Sequence, residues 1–444
     1  MSKTPQTVGR YSLLKRLGKG GMGIVFKALT PVIERVVALK VLEPSEAMQI
    51  TMDADQLEQI FLTEAKTQAS LHHPHIASVW DFDRDQQGRP FFTMEYICNN
   101  LGIMLGERFE VEQPSRPIAA EKVLQYGVQM LDGLDYLHHR QIVHRDIKPH
   151  NILVTDEDRV KICDFGMALV SGVSFAGPPN MQIGSPYYTP PEQQKNPHQV
   201  DHRADCYSAA VLLYRMLTGS LPGMQSFPLS LINPRYDEQW DQFFHIGLQW
   251  DPDKRFQSAA EMKESLQNLS LHAPLCPVTT APFPSLPVPE VLRDSPANLC
   301  GARARRQLDL TELNRPRRYI DSDFREHQHG IFDQATGLLW RPGGSDFPLS
   351  WKEACHYIHQ LNDHPEAAIR SWRLPTISEL LSLLDECYNQ TAPELFNPGK
   401  QWIWSSDAHG SQERWFLNSD MGYAGIQDED CPCYVFAVTT IDTW

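Results

Sequence analysis

The residues best suited to chemistry stand in one short stretch, His144-Arg145-Asp146-Ile147-Lys148-Pro149-His150-Asn151, which is soon followed by Asp164-Phe165-Gly166. A carboxylate such as that of Asp146 can orient a hydroxyl group, and an ammonium such as that of Lys148 can steady a phosphoryl group. Asn151 and Asp164 add oxygen ligands of the kind that Mg²⁺ prefers. Phosphoryl transfer requires these residue types in this order, so the stretch predicts phosphate chemistry.

A second candidate phosphate-binding pattern lies near the N-terminus, in the stretch Leu17-Gly18-Lys19-Gly20-Gly21-Met22-Gly23-Ile24-Val25. Glycine allows the backbone to approach phosphate closely. The pattern G-x-G-x-x-G is weak by itself, because dinucleotide-binding folds use a similar one. Those folds need a helix after the glycines, whereas residues 11–17 and 24–28 look like the two strands of a hairpin. We therefore predict a hairpin whose tip lies over a triphosphate.

The elements around these motifs include an apolar strand, Val36 to Leu42, which contains Ala38 and Lys40. A buried ammonium needs a partner, because an unpaired buried charge is costly. Glu64 is the preferred partner, since residues 59–71 have apolar positions at helical spacing, and Glu58 is the second choice. The alternative is a water-exposed lysine on an edge strand.

A β-rich run from Phe91 to Ile97, followed by Cys98-Asn99-Asn100, predicts a strand and a hinge that contact adenine. Met94 would line the back of that pocket, with Glu95 and Ile97 beside it. The alternative is a strand with a purely structural role. The position of this run between the lysine strand and the catalytic stretch favours the hinge.

Together these motifs resemble the Hanks-type protein kinases, most closely the bacterial serine/threonine kinases, over about Tyr11 to Leu271. Three later features extend the resemblance: Pro190-Pro191-Glu192, Asp205 and Arg255. The resemblance implies a bilobal kinase fold that uses ATP and Mg²⁺. It implies that the catalytic residues are Asp146 and Lys148, that Asn151 and Asp164 hold the metal, and that ATP contacts Leu17 to Val25, Ala38, Lys40, Glu64, Met94, Glu95 and Ile97. It also implies that Asp205 braces the catalytic loop and that Arg255 pairs with Glu192.

Two departures from the family pattern concern the segment that would contact the protein substrate. Pro190 replaces the usual alanine before Pro-Glu, and Ser185 replaces the usual threonine but keeps the hydroxyl. Arg145 precedes the catalytic aspartate, and in this family such an arginine often pairs with a phosphorylated residue. Autophosphorylation at Ser171 or Ser174 is therefore a hypothesis.

The C-terminal part begins with a spacer rich in proline, a residue that disfavours helices and central strands, and continues with an arginine-rich patch. We assign residues 1–10 to a tail, 11–271 to the kinase domain, 272–323 to a linker and 324–444 to a second domain. The order T-G-L-x-W, W-x-x-A, W-R-L-P-T-x-x-E-L and W-S-S resembles the Lcl C-terminal domain, known from adhesin-like proteins and similar to C-type lectins. Thr376 and Glu379 predict a helix cap, the tryptophans predict a core, and Cys431 and Cys433 lack the partners of a metal site. The expected role is sensing or protein interaction, with an unknown ligand.

Composition limits the functions that remain. A chain of 444 residues suggests two domains, and a net charge of −15 argues against nucleic-acid and anionic-membrane binding. The N-terminus is polar, no apolar run is long enough to span a membrane, and nine scattered cysteines suit a reducing compartment. We expect a soluble cytoplasmic α+β protein that acts on serine or threonine of protein substrates. The rivals are a small-molecule kinase and an inactive kinase-like scaffold.

Overall fold

The computed structural model of the protein describes residues 6–107, 112–170, 184–197, 199–223, 227–272, 290–364, 369–384 and 400–440. The chain divides into two compact units, Met1–Leu275 and Cys276–Trp444. Both contain helices and sheets, which confirms the α+β class. Among the described residues, no helix is long and apolar enough to cross a membrane.

The N-terminal lobe of the first unit is an antiparallel sheet in the order β1-β2-β3-β4-β6-β5, accompanied by two helices. Its elements are β1 (Thr7–Val8), β2 (Tyr11–Lys19), β3 (Gly23–Leu29), β4 (Val36–Leu42), α1 (Glu46–Thr51), α2 (Ala54–Ala69), β5 (Val79–Arg84) and β6 (Pro90–Glu95). The predicted hairpin around the glycines is therefore β2–β3, with Gly18 opposite Val25.

Helix α2 begins at a capping box. The Asp53 side chain accepts from the backbone N–H of Gln56, and the Gln56 side chain accepts from the backbone N–H of Asp53. Its buried face repeats at helical spacing and includes Ile60, Phe61 and Glu64. The Phe61 ring lies 5.1 Å from the ring of Phe92 on β6. This packing holds the helix against the sheet and directs a carboxylate inward.

The C-terminal lobe of the first unit is mainly helical. Its elements are β7 (Asn99–Asn100), α3 (Leu101–Leu105), α4 (Ala120–His139), β8 (Ile142–Val143), β9 (Ile152–Val154), β10 (Val160–Ile162), β11 (Leu169–Val170), α5 (Pro191–Lys195), α6 (Arg203–Thr218), α7 (Leu229–Ile232), α8 (Glu238–Gly247) and α9 (Ala259–Gln267). Helix α6 is buried on nearly all sides and ends at Gly219, whose φ of 72° suits glycine. The catalytic stretch lies between α4 and β9, and α6 supports it from the interior.

The second unit contains two antiparallel sheets, ordered β12-β13-β14-β18 and β15-β16-β17. Its elements are α10 (Gly301–Gln307), β12 (Phe324–His327), β13 (Gly330–Asp333), β14 (Leu338–Trp340), α11 (Trp351–Asp363), α12 (Ile377–Leu381), β15 (Trp402–Ala408), β16 (Glu413–Asn418), β17 (Tyr423–Asp428) and β18 (Val438–Thr440). Trp340, Trp404 and Trp415 are buried in it, as the sequence predicts. The predicted cap is also confirmed, because Thr376 and Glu379 form a capping box at the start of α12.

Residues 290–323, which the sequence analysis assigns to the linker, pack within this second unit. Leu299, Ala304 and Leu310 belong to its buried core. Arg293 forms two hydrogen bonds of 2.7 Å with the buried carboxylate of Asp407 on β15. Because many arginines surround these apolar residues in the sequence, their place in a core is not evident from the sequence alone.

The cysteines differ from the expectation of a reducing compartment, because Cys98 of the first unit and Cys431 of the second unit are each assigned to a disulfide bond. Cys163 and Cys206 are free thiols. Cys431 also lies in a cluster with Asp428 and Asp430. A sulfur in a disulfide is not a thiolate, so this cluster lacks the donor that would favour a metal.

Candidate active site

The glycine-rich loop connects β2 and β3 and is shaped by two kinds of glycine. A Cβ at Gly23 would lie 2.2 Å from the carbonyl oxygen of Val41, so packing against β4 requires glycine there. A Cβ at Gly18 or Gly21 would meet nothing within 4 Å, which leaves open space at the tip. Met22 is buried in the core cluster beside α2 and anchors the loop. The remaining predicted loop residues are placed as follows: Leu17, Lys19 and Gly20 are exposed, Ile24 is buried and Val25 is half-buried.

Lys40 lies on β4 opposite Val25, and its ammonium is held between two carboxylates. Its Nζ is 2.5 Å from Glu64 Oε1 and 2.9 Å from Asp164 Oδ1. Glu58, the second choice, instead pairs with Arg84 at the surface. Lys40 is 8% exposed and Glu64 is 2% exposed, so this is the buried pair that the sequence predicts.

The charges of this triad depend on one another. Burial alone would lower the pKa of Lys40, but Asp164 and Glu64 raise it above its ordinary value. Lys40 is the main reason that the pKa of Asp164 lies well below its usual range. Burial, supported by the neighbouring Asp164, raises the pKa of Glu64 to about 7. At neutral pH Asp164 is therefore the carboxylate that is firmly ionised.

The strand and hinge predicted for adenine are β6 and the residues after it. Ala38 on β4 is paired in register with Met94 on β6, so both border the same part of the sheet. Ile97 follows the strand and is half-buried. The carboxylate of Glu95 is bound by Lys161 Nζ at 2.8 and 2.9 Å, a contact that fastens the hinge to β10.

Three polar side chains donate to the carboxylate of Asp146, two from the catalytic stretch and one from the later segment that contains Ser185. Lys148 Nζ donates to Asp146 Oδ2 at 2.7 Å, and Asn151 Nδ2 donates to the same oxygen at 3.0 Å. Ser185 Oγ donates to the other oxygen, Oδ1, at 3.1 Å. The structure thus brings together the predicted catalytic pair, a predicted metal ligand and the serine that replaces threonine.

Asp205, at the start of α6, holds this stretch from beneath. Its carboxylate accepts from the backbone N–H of His144 at 2.9 Å and of Arg145 at 2.8 Å. His138 Nε2 lies 2.9 Å from the same carboxylate, a contact the sequence analysis did not identify. Burial would raise the pKa of Asp205, but His138 and the backbone hydrogen bonds hold it below its usual value. The backbone at Arg145 has a φ of 66°, a strained conformation that these bonds stabilise.

A second support lies under the segment that carries Ser185. Arg255 donates to both oxygens of Glu192, at 2.6 and 2.7 Å, as the resemblance implies. Gln193 Nε2 donates to the backbone oxygen of Arg145 at 2.8 Å. These bonds join α5 to the catalytic stretch, and Pro190, the departure from the family pattern, lies at the N-terminal cap of α5.

No sequence pattern predicted the polar cluster around Glu107. Its carboxylate accepts from Tyr188 Oη at 2.9 Å and lies 3.3 Å from His150 Nδ1 and 3.6 Å from Arg215 Nη1. The His150 ring packs against Gly102, where a Cβ would come within 2.6 Å of it. These residues are up to 108 positions apart between Glu107 and Arg215, and no local pattern connects them.

Arg145 is buried, and its side chain donates to two backbone oxygens. Its Nε donates to the oxygen of Met167 at 2.5 Å and its Nη1 to that of Pro197 at 2.9 Å. Burial lowers the pKa of this guanidinium to about 10, with Asp205 opposing the change. Ser171 and Ser174 lie outside the described residues, so their hypothetical role stays a prediction.

The chemistry of Asn151 and Asp164 fits a magnesium ion. Asn151 Nδ2 is occupied by the backbone and side-chain oxygens of Asp146, which leaves the amide oxygen as the ligand atom. The Asp164 side chain is 43% exposed although Lys40 binds one of its oxygens. An ionised carboxylate and an amide oxygen are suitable Mg²⁺ ligands.

Comparisons with known proteins identify two families along the chain. Residues 11–272 match the protein kinase domain, and residues 329–439 match the Lcl C-terminal domain. The serine/threonine-protein kinase Pkn3 of Myxococcus xanthus is 33% identical over 221 residues, which cover 48% of this chain and 38% of that protein. PrkC of Bacillus subtilis is 29% identical over 273 residues, which cover 58% of this chain and 40% of that protein.

The chain thus spans about two fifths of the length of these curated relatives. Among solved structures, the kinase domain of PknI from Mycobacterium tuberculosis is 26% identical, with a TM-score of 0.46 over 60% of this chain and 98% of that one. The family model covers more than half of the chain. The chain therefore belongs to the protein kinase family, and it carries an Lcl C-terminal domain after the kinase domain.

Proposed function

We propose that the first unit is a serine/threonine protein kinase that transfers the γ-phosphoryl group of ATP to hydroxyl groups of proteins. The observation that carries this proposal is the joint arrangement of Lys148, Asn151 and Ser185 around Asp146. The family relationship supports the same activity. The substrate proteins and the activity of the whole chain are part of the proposal.

The nucleotide would lie under the glycine-rich loop, with adenine between Ala38 and the hinge. Lys40, oriented by Glu64, would contact the α- and β-phosphates. Asn151 and Asp164 would hold Mg²⁺, which supplies positive charge that neutralises the phosphates. Loop glycines without side chains leave the backbone N–H groups accessible to phosphate oxygens.

Asp146 would accept a hydrogen bond, and finally the proton, from the serine or threonine hydroxyl of the substrate. As the hydroxyl oxygen bonds to the γ-phosphorus, the bond from that phosphorus to the β–γ bridging oxygen breaks and ADP leaves. Lys148 Nζ, held 2.7 Å from Asp146, would stabilise the charge on the transferring group. The buried contacts from Asp205 keep Asp146 in position, so positioning and electrostatics supply most of the catalysis.

Two other functions compete with this one. An inactive scaffold is disfavoured because Lys40, Asp146, Asn151 and Asp164 are all present and joined by hydrogen bonds. A small-molecule kinase is disfavoured by the Glu192–Arg255 pair, which in this family supports the platform for protein substrates.

Incubation with labelled ATP, Mg²⁺ and a generic protein substrate separates the three functions. We expect label on protein with the wild type, and with the exposed control Asp83→Asn. Asp146→Asn should lower the rate of label transfer to protein by roughly 10²- to 10⁴-fold, because the proton acceptor is removed. Chelation of the metal should stop transfer. Absence of both transfer and ATP binding would favour the scaffold, and label on small molecules alone would favour the small-molecule kinase.

For the second unit, we propose a sensing or interaction role that accompanies the kinase. We also propose a cytoplasmic location. The disulfide bonds assigned to Cys98 and to Cys431 count against a strongly reducing compartment. Fractionation of the producing cells, followed by detection of the intact chain, tests the location.

A further inference from the structure

The second unit has a cavity of about 440 Å³ between helix α11 and the sheet that contains β14. This volume is within the range of small-molecule sites. Tyr357, Gln360, Leu361 and His364 line it from one face of α11 and its C-terminal cap, since their spacing of three and four residues follows the helix period. The cavity therefore has one wall made by a single helix.

The floor of the cavity is apolar and fixed in place. Leu361, Ile369 and Trp372 form it, and Trp372 packs in a core cluster with Leu339 of β14. Asn362 holds the Trp372 backbone from both sides, accepting from its N–H at 2.9 Å and donating to its oxygen at 2.8 Å. A ring or a short hydrocarbon chain would find a preformed surface here.

Arg341 supplies the positive charge of the cavity. Its Nη1 donates to Tyr357 Oη at 2.8 Å, and its backbone N–H donates to Ala437, so the guanidinium is oriented. Among the described residues, no carboxylate forms an ion pair with Arg341. Burial, and to a smaller degree Asp346, raises the pKa of Tyr357, and Arg341 opposes that change.

By contrast, the half-buried Arg293 and Arg414 of this unit have carboxylate partners. Arg293 lies 2.7 Å from Asp407, and Arg414 lies 2.6 Å from Glu429. An oriented guanidinium in a cavity, with no carboxylate partner among the described residues, suits a carboxylate or phosphate that arrives with a ligand. His329 and His364 also line the cavity.

We propose that this cavity binds a small organic anion, whose carboxylate or phosphate pairs with Arg341 and whose ring or short chain rests on Trp372. The ligand would be a low-molecular-weight compound, because a volume of about 440 Å³ accommodates a small molecule rather than a macromolecule. This site is independent of the proposed kinase activity.

Saturation-transfer NMR on the full chain tests this proposal with three probes that share a phenyl ring: benzoate, phenyl phosphate and the neutral benzyl alcohol. Probes of about ten non-hydrogen atoms bind in roughly the millimolar range. We expect benzoate, phenyl phosphate or both to bind at least tenfold more tightly than benzyl alcohol. The better anion identifies the headgroup.

Arg341→Gln should weaken binding of the anion by roughly 10- to 100-fold, because a charge-assisted pair is lost. Tyr357→Phe should reduce the affinity less, since only the hydroxyl that orients Arg341 is removed. The matched control is Arg325→Gln, which removes an exposed arginine of β12 that is paired with Asp323. Because the nucleotide site also attracts phosphate, only the signal that Arg341→Gln removes counts as binding here.

Hydrogen exchange of peptides from residues 338–363 should slow on addition of benzoate or phenyl phosphate in the wild type and not in Arg341→Gln. Unfolding temperatures equal to that of Arg325→Gln show that the variant is folded. The proposal is overturned if neither anion binds, or if Arg341→Gln binds it as the wild type does.

Discussion

The pair Glu192–Arg255 offers a direct test of how the substrate platform is held. The Arg255 side chain is fully buried and that of Glu192 is 24% exposed, with two hydrogen bonds of 2.6 and 2.7 Å between them. Glu192→Gln keeps the shape but leaves a buried guanidinium without its counter-charge. Breaking such a pair costs about 3–5 kcal/mol in general.

The expected cost here is somewhat smaller, about 2–3 kcal/mol, for two reasons. Arg255 still donates to the backbone oxygens of Gln249 and Trp250, at 2.6 and 3.0 Å. The lost carboxylate is also partly exposed to water. For a unit of this size, such a loss lowers the unfolding temperature by roughly 4–10 °C.

Glu58→Gln is the matched control, because it breaks an ion pair with Arg84 in which the two side chains are 38% and 48% exposed. Exposed pairs contribute about 0–1 kcal/mol, so its unfolding temperature should change by at most a few degrees. Both variants remove one negative charge, so long-range effects on the net charge are equal.

Thermal unfolding of the full chain measures both variants, and hydrogen exchange at α5 assigns the transition to the first unit. Faster exchange at α5 and a fall in kinase activity are expected for Glu192→Gln alone. Equal temperature shifts in the two variants would refute the reasoning that burial decides the strength of the pair.

Three further predictions concern other parts of the chain. The pKa of Glu64 is raised from 4.5 to about 7 in the folded state, so its contribution to stability is complete below about pH 4.5 and declines as the pH rises to about 7. In urea titrations, the unfolding free energy of the wild type minus that of Glu64→Gln should fall over this interval, and a constant difference would contradict the raised pKa. Gly102→Ala would place a Cβ 2.6 Å from the His150 ring and displace it from Glu107, which also binds Tyr188 of the segment that contains Ser185. We therefore expect the KM for the protein substrate to rise roughly 3- to 10-fold with the KM for ATP unchanged, and equal changes in both would contradict a role of this cluster in substrate binding. Arg293→Ala removes two bonds to a buried carboxylate and should destabilise the second unit by about 2–4 kcal/mol in denaturant unfolding, against less than about 1 kcal/mol for the exposed Arg318→Ala.

Much of the candidate site could be predicted because its chemistry is written in short stretches. The order of Asp146, Lys148 and Asn151 places three functional groups within six residues, so their proximity follows from their short separation in the chain. The cap formed by Thr376 and Glu379 was predictable for the same reason, since it spans four residues. The hairpin around the glycine-rich loop follows from local strand patterns on both sides of a turn.

Contacts between segments that are far apart in the chain were decided only by the tertiary structure. Both Glu58 and Glu64 lie on α2, and only packing against the sheet shows which one turns toward Lys40. Similarly, residues 290–323 have the composition of a charged linker, yet a few apolar side chains among the arginines are enough to enter a core. The cluster around Glu107 has no counterpart in any local pattern. A sequence specifies residue types and short-range geometry directly, whereas burial and long-range pairing depend on how whole elements pack, and that packing determines which charges are neutralised.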